Sequence, residues 1–265
     1  MNRTCIIITL ALASLLAADS CTVNKPSGGG NVPPGGEPSL PEPPEIALDA
    51  RTFMVDIFTT LSDESFFNQR STGVACEYIR TQQQKRSLVY LFDRADYTVG
   101  KNHPMTEIAY TLGMNQLFAQ SGPTELSTTE GTGIITAYSI ADYDGIAEGG
   151  AYLSGCRISI PVTGTPSVYV STARISSLDQ ARSIYEKRKL RLTTDAVVIG
   201  TAAAKEKQQI LDFFNSSSMR AACLGSGDTD YDLIVLCPVN YVCRGIEPGK
   251  TVNLPYYRVS IEKWN

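Results

Sequence analysis

Two short runs constrain the fold of this chain more than anything else in it. Residues 87–92 (Ser87, Leu88, Val89, Tyr90, Leu91, Phe92) and 195–200 (Asp195, Ala196, Val197, Val198, Ile199, Gly200) are almost wholly apolar. Runs this short suit strands, and the missing polar alternation means that both strand faces are covered. Between residues 52–58, which have strand composition, and 87–92 lies residues 73–82, where apolar residues recur at helical spacing. Together they predict a strand–helix–strand unit. Residues 106–112 read as a short helix stopped by Gly113, followed by a strand at 116–119.

From Gly131 onward the pattern turns to strands joined by turns, at 133–138, 156–162 and 167–172. A helix over 179–192, a buried strand at 195–200, a helix over 206–214 and strands at 232–236 and 257–261 complete the chain. No internal sequence repeat is visible. The predicted class is α/β: a sandwich of two sheets with helices outside.

Only residues 46–265 have this character. Met1 to Ala18 carries one early charge, Arg3, and an apolar run over residues 6–16, the layout of a secretory signal and too short to span a bilayer. Residues 1–20 are therefore expected to be removed. Small residues precede Cys21 in Leu16-Ala17-Ala18-Asp19-Ser20-Cys21, which resembles the relaxed lipobox of bacterial lipoproteins, especially those of Bacteroidetes. Asp19 departs from the strict pattern, and ordinary cleavage near Ala18 is the alternative. Residues 22–45 are about half proline and glycine and have almost nothing to bury, so with Cys21 they form a spacer. The expectation is a domain exported to the bacterial outer membrane or periplasm, its membrane partner reached through a lipid on Cys21.

Net charge is −4, and the one strongly basic stretch is Glu186-Lys187-Arg188-Lys189-Leu190-Arg191. This argues against a nucleic-acid partner, whose phosphates need a basic face. Seven cysteines fall to five without Cys5 and Cys21. Cys237 and Cys243 flank Pro-Val-Asn-Tyr-Val and are expected to close a hairpin as a disulfide, while Cys76, Cys156 and Cys223 sit in apolar contexts of buried thiols. The single histidine, His103, argues against a zinc site or a serine–histidine or cysteine–histidine pair.

The order of elements, with some local wording, resembles the endonuclease/exonuclease/phosphatase family of metal-dependent phosphodiesterases, which implies their DNase-like fold, a four-layer α/β/β/α sandwich of two mostly antiparallel mixed sheets with helices outside. The wording is clearest in Leu112-Gly113-Met114-Asn115 followed by Phe118-Ala119, in the glycine-led strand from Gly131 to Ile140, and in Arg157 near the start of the next strand. The resemblance implies Mg²⁺ held by carboxylates and amides, with histidines polarising a phosphate.

Position by position, it implies a different outcome here. The first strand's asparagine falls near Asp56 or Ile57, and the second strand's glutamate on Asp93. The histidine of a strand end falls on Ala173. An aspartate–asparagine turn falls on Gly200-Thr201-Ala202-Ala203, Asp232 keeps a strand aspartate, and the closing aspartate–histidine falls on Leu254-Pro255-Tyr256. Proton transfer and phosphoryl chemistry cannot run through alanines. The ancestral-site positions Asp93, Ala173, Thr201, Asp232 and Tyr256 are thus expected to share one pocket stripped of catalysis, and no cofactor is expected.

Alternatives stand beside this reading. Asp93 and Asp232, with Asp56, are either remnants of an Mg²⁺ site in a divergent phosphoesterase or solvated carboxylates. Asp142-Tyr143-Asp144-Gly145 and Asp228, Asp230 and Asp232 are either Ca²⁺ loops or solvated turns, and the distal glutamate of an EF-hand is missing. Tyr138, Tyr143, Tyr152, Tyr241, Tyr256 and Tyr257 either line a cleft for a glycan or protein ligand or pack over sheet edges. A third reading makes the domain a structural envelope component.

Overall fold

The computed structural model describes residues 52–58, 69–83, 87–98, 104–121, 128–148, 151–159, 167–224, 230–249 and 256–264. Cys21, the segment around it, His103, Asp228, Leu254 and Pro255 lie outside them. The elements run β1 (Thr52–Phe58), α1 (Gln69–Gln83), β2 (Ser87–Thr98), α2 (Pro104–Leu112), β3 (Asn115–Ser121), β4 (Thr128–Thr136), β5 (Ser139–Glu148) and β6 (Ala151–Ser159). They continue β7 (Val168–Ile175), α3 (Leu178–Thr194), β8 (Ala196–Ala203), α4 (Lys207–Ser216), β9 (Arg220–Leu224), β10 (Tyr231–Cys237), β11 (Tyr241–Pro248) and β12 (Tyr256–Lys263).

Two six-stranded sheets result, ordered β11–β12–β1–β2–β4–β3 and β5–β6–β7–β8–β10–β9. Strand alternation assigns each residue to a layer. Val55, Ile57, Val89 and Leu91 of the first sheet meet Val170, Val197, Ile199 and Val235 of the second in a central core. The other faces carry the helices: Phe58 and Phe92 pack with Ile79 of α1 and Ile108 of α2, and Tyr169 and Ile234 with Ile184 of α3 and Phe214 of α4. The architecture is the sandwich of two sheets expected from the apolar runs, in the four-layer α/β/β/α form that the resemblance implied. Burying each such aliphatic or aromatic side chain contributes about 1.5–3 kcal/mol.

Local signals explain the helix ends. Gly113 adopts φ 64°, and Met114 N–H donates to Ala109 O at 2.8 Å, closing α2 where the sequence placed its stop. Ser177 caps α3 by accepting from the Gln180 amide. Arg188 departs from helical geometry inside α3, at φ −130° and ψ 16°.

The topology is repeated although the sequence shows no repeat. In the first half, β1 and β2 are parallel, with α1 between them in the chain, and α2, β3 and β4 follow in sheet order β1–β2–β4–β3. In the second half, β7 and β8 are parallel, α3 lies between them, and α4, β9 and β10 follow in order β7–β8–β10–β9.

Three strands depart from the expectation, β5, β9 and β11, and all three are sheet edges. An edge strand does not need the two-sided apolar pattern by which the others were found. β5 holds Asp142-Tyr143-Asp144-Gly145, expected as a loop; instead it is a bulged strand with its register shift between Ala141 and Asp144 and with Asp142 at φ 49°. β11 carries Arg244, Gly245, Glu247 and Pro248, residues that suit an edge. The hairpin expected around Cys237 and Cys243 does not form. Cys237 ends β10 in one sheet while Cys243 lies on β11 in the other, and both are free thiols.

Candidate functional site

β7 and β8 end at one end of the sandwich, where β2 is bulged between Phe92 and Ala95, and the inward residues of all three change there from apolar to polar. On β2 the inward series Val89, Leu91 continues to Asp93; on β7, Val168, Val170 continues to Thr172 and Arg174; on β8, Val197, Ile199 continues to Thr201. On β10, which runs the other way, Tyr231 precedes Leu233 and Val235. Asp93 is 1% exposed. Its Oδ2 accepts from the Thr201 hydroxyl at 2.5 Å and faces Arg174 Nη1 at 3.5 Å, so both contacts cross from one sheet to the other.

The Arg174 guanidinium lies 3.8 Å from the centre of the Tyr231 ring. The Tyr231 hydroxyl is 3.1 Å from Ser176 Oγ. Deeper in the same layer, Ser154 Oγ donates to Thr132 O at 2.8 Å. The serine proton being used, Thr132 Oγ1 is the donor in the 2.6 Å contact between the two hydroxyls. Thr172 is fully buried beside Ser154, its hydroxyl lacking a hydrogen-bond partner among the described residues. Gly200 lets β7 and β8 approach here: a Cβ on it would lie 1.9 Å from Ala173 O.

Of the five expected positions, Asp93 and Thr201 converge and the other three do not. Ala173 faces outward, fully buried under α3 and α4. Asp232 also faces outward, 6% exposed, and forms an ion pair with Lys207 of α4, which holds the lysine pKa above its usual value. Tyr256 packs in the α1 layer, 4.2 Å from the Tyr78 ring and 6.1 Å from Phe58. The reason is strand geometry: an offset of one residue sends a side chain to the opposite face. Arg174 and Tyr231 were missed for the same reason, and counting alternate positions from Val170 and Val235 finds both.

Asp56 is fully buried on the outer face of β1 and joins neither Asp93 nor Asp232. It accepts two bonds from Arg258 at 2.8 and 2.9 Å, one from Ser87 at 2.9 Å and one from the Tyr78 hydroxyl at 3.1 Å. Burial, then the Asp56 charge, pushes the Tyr78 pKa far above the usual range.

The Ca²⁺ alternative at residues 142–145 is also closed. Asp142 accepts from Arg191 at 2.7 and 2.9 Å, and Asp144 forms an ion pair with Arg188. The Arg191 bond, against the opposing effect of burial and with help from the Arg191 and Arg157 charges, holds the Asp142 carboxyl below its ordinary value. Of the candidate cleft tyrosines, Tyr138, Tyr241 and Tyr257 lie in the central core, and only Tyr143 is exposed among those whose side chains are described.

No protein-family model and no curated protein sequence matches this chain. Solved structures do. An endonuclease/exonuclease/phosphatase from Beutenbergia cavernae superposes with a TM-score of 0.56 at 10% identity, covering 82% of this chain and 72% of that one. A family protein from Leptotrichia buccalis also gives 0.56 at 10%, covering 78% of this chain and 99% of its own. The human nocturnin catalytic domain, in a structure with bound sulfate anion, gives 0.55 at 7% identity, covering 80% and 95%. The fold is therefore the DNase-like fold of the endonuclease/exonuclease/phosphatase proteins.

The residues present do not fit the divalent cation that the resemblance implies. A hard cation takes about six oxygens, with carboxylates directed at it. Here Thr201 and Ala203 stand where a carboxylate and an amide are needed, and a guanidinium faces the remaining acid, Asp93. Among the described residues, no three or more His, Cys, Asp or Glu side chains come together as a metal-holding group.

Proposed function

We propose that this is a non-catalytic binding domain on a phosphodiesterase scaffold, displayed on a bacterial envelope by lipid at Cys21, with a glycan or protein as its ligand. One observation carries the reading: the inward carboxylate at the strand ends, Asp93, is buried against Arg174 and Thr201 rather than directed at an open coordination site. Asp232, which a divergent phosphoesterase would recruit beside it, faces the opposite side of its sheet and is bound to Lys207. The only histidine that a general acid–base step has to draw on is His103.

β1 begins at Thr52 and runs parallel to β2, with Met54 opposite Ser87 and Phe58 opposite Phe92. The preceding chain thus joins the sandwich at the end opposite Asp93, away from the polar end.

The test combines turnover with binding on the full exported chain. Hydrolysis of bis(p-nitrophenyl) phosphate and p-nitrophenyl phosphate with Mg²⁺ or Mn²⁺ is expected to match that of Asp93→Ala, while a glycan array or a pull-down from envelope extract yields saturable binding. Metal-dependent turnover abolished by Asp93→Ala would sink the proposal in favour of a divergent phosphoesterase. Absence of both turnover and binding would favour a structural envelope component.

A further inference from the structure

We infer that Arg174 is the built-in cation of this scaffold: its guanidinium neutralises Asp93 at the sandwich end and fastens the two sheets there. Asp93 belongs to the first sheet, Arg174 and Thr201 to the second, so every contact described for this carboxylate crosses between sheets. A carboxylate 1% exposed needs a compensating charge, because an unpaired buried ion costs several kcal/mol.

The arginine is held for the task. Its side chain is 13% exposed and lies on the Tyr231 ring, whose hydroxyl is fixed near Ser176. Gly200 lets β8 lie close to β7, so that Thr201 and Arg174 stand side by side, since a Cβ there would lie 1.9 Å from Ala173 O. A guanidinium is permanently charged and planar, so it does the compensating work of a divalent ion without needing six oxygens.

The inference concerns the architecture of the site and does not rest on any ligand. Thermal melting of the full chain reads it. The wild-type midpoint is expected to be the same in EDTA as in millimolar Mg²⁺ or Mn²⁺. Arg174→Met takes the guanidinium from the buried Asp93 charge and lowers the midpoint by about 10 °C. That variant's midpoint stays the same in EDTA as in Mn²⁺, because one carboxylate and one hydroxyl are too few oxygens to hold the ion. Asp93→Asn combined with Arg174→Met recovers most of the loss and is indifferent to Mn²⁺. Recovery of Arg174→Met only as insoluble protein, with the double variant soluble, supports the coupling equally.

A saturable rise of the wild-type midpoint with either metal, lost in Asp93→Asn, would overturn the inference, as would an Arg174→Met variant no less stable than the double variant. Phosphate-ester turnover with a metal-insensitive wild-type midpoint would remove the proposed function and leave this inference standing.

Discussion

Asp56 and Asp93 lie on adjacent parallel strands of one sheet, at 0% and 1% exposure, and face opposite sides of it. The difference in their partners separates stability from site. Asp56 points into the helix layer and is satisfied within that half and its own sheet, by Tyr78 of α1, Ser87 of β2 and Arg258 of β12. Asp93 points between the sheets and takes Arg174 and Thr201 from the other half. A buried carboxylate needs a countercharge in either case. Where the countercharge comes from decides whether the acid fastens one layer or joins two.

The largest expected effect is on the Asp56 side. Arg258→Met removes both guanidinium bonds from a fully buried carboxylate and should cost about 3–5 kcal/mol in urea denaturation, with Asp56→Asn added to it restoring most of the loss. A loss below about 1 kcal/mol would mean that Ser87 and Tyr78 suffice and that Asp56 is no more locked than a surface acid.

Gly200→Ala probes the Asp93 side alone. The new methyl meets Ala173 O, which forces β7 from β8 and should cost about 1–3 kcal/mol, whereas the Asp56 group is untouched. A change within about 0.5 kcal/mol would contradict the close approach of these strands.

Lys207→Met is expected to cost under about 1 kcal/mol, because the lysine side chain is 29% exposed and its pair with Asp232 is partly solvated. Its raised folded-state pKa means the pair contributes fully below the ordinary lysine value of about 10.4 and loses its contribution as pH rises through the folded value. Wild type and variant should therefore converge in strongly alkaline urea melts, and a gap that widens there would reverse the assignment.

The mildest test is thiol labelling at slightly alkaline pH, read by mass spectrometry. Exposed Cys223 should alkylate readily, while Cys156 and Cys237, whose pKa values burial pushes up to about 12, should stay unmodified in the folded domain. Rapid labelling of Cys156 would show that the central core opens easily. Loss of the Cys237 and Cys243 thiols to a bridge would restore the disulfide expected from their spacing.

Legibility in the sequence followed position within the sheets, except that the edge strand β3 was also read, from residues 116–119. β1, β2, β7, β8, β10 and β12 are interior strands, and their apolar runs announced them. β5, β9 and β11 are edges, where one flank has no partner strand and composition is free to be polar, so Asp142, Cys223 and Arg244 hid them. At the candidate site, all five positions came from the family resemblance, motif by motif. Asp93 and Thr201 face inward and meet, whereas Ala173, Asp232 and Tyr256 lie one residue out of step with the inward series and face the helix layers. Tyr138, Tyr241 and Tyr257, read as candidate cleft residues, satisfy the core instead.

The sequence by itself determined the sandwich, the helix stop at Gly113 and the paucity of acid–base groups, because hydrophobic period, backbone permissiveness and residue chemistry are local properties. Only the tertiary structure decided that Asp93 meets Arg174 while Asp56 meets Arg258, and that a repeated topology underlies a chain without a visible repeat. Those pairings join residues 81 and 202 positions apart, and nothing local in the chain encodes which two charges will be buried against each other.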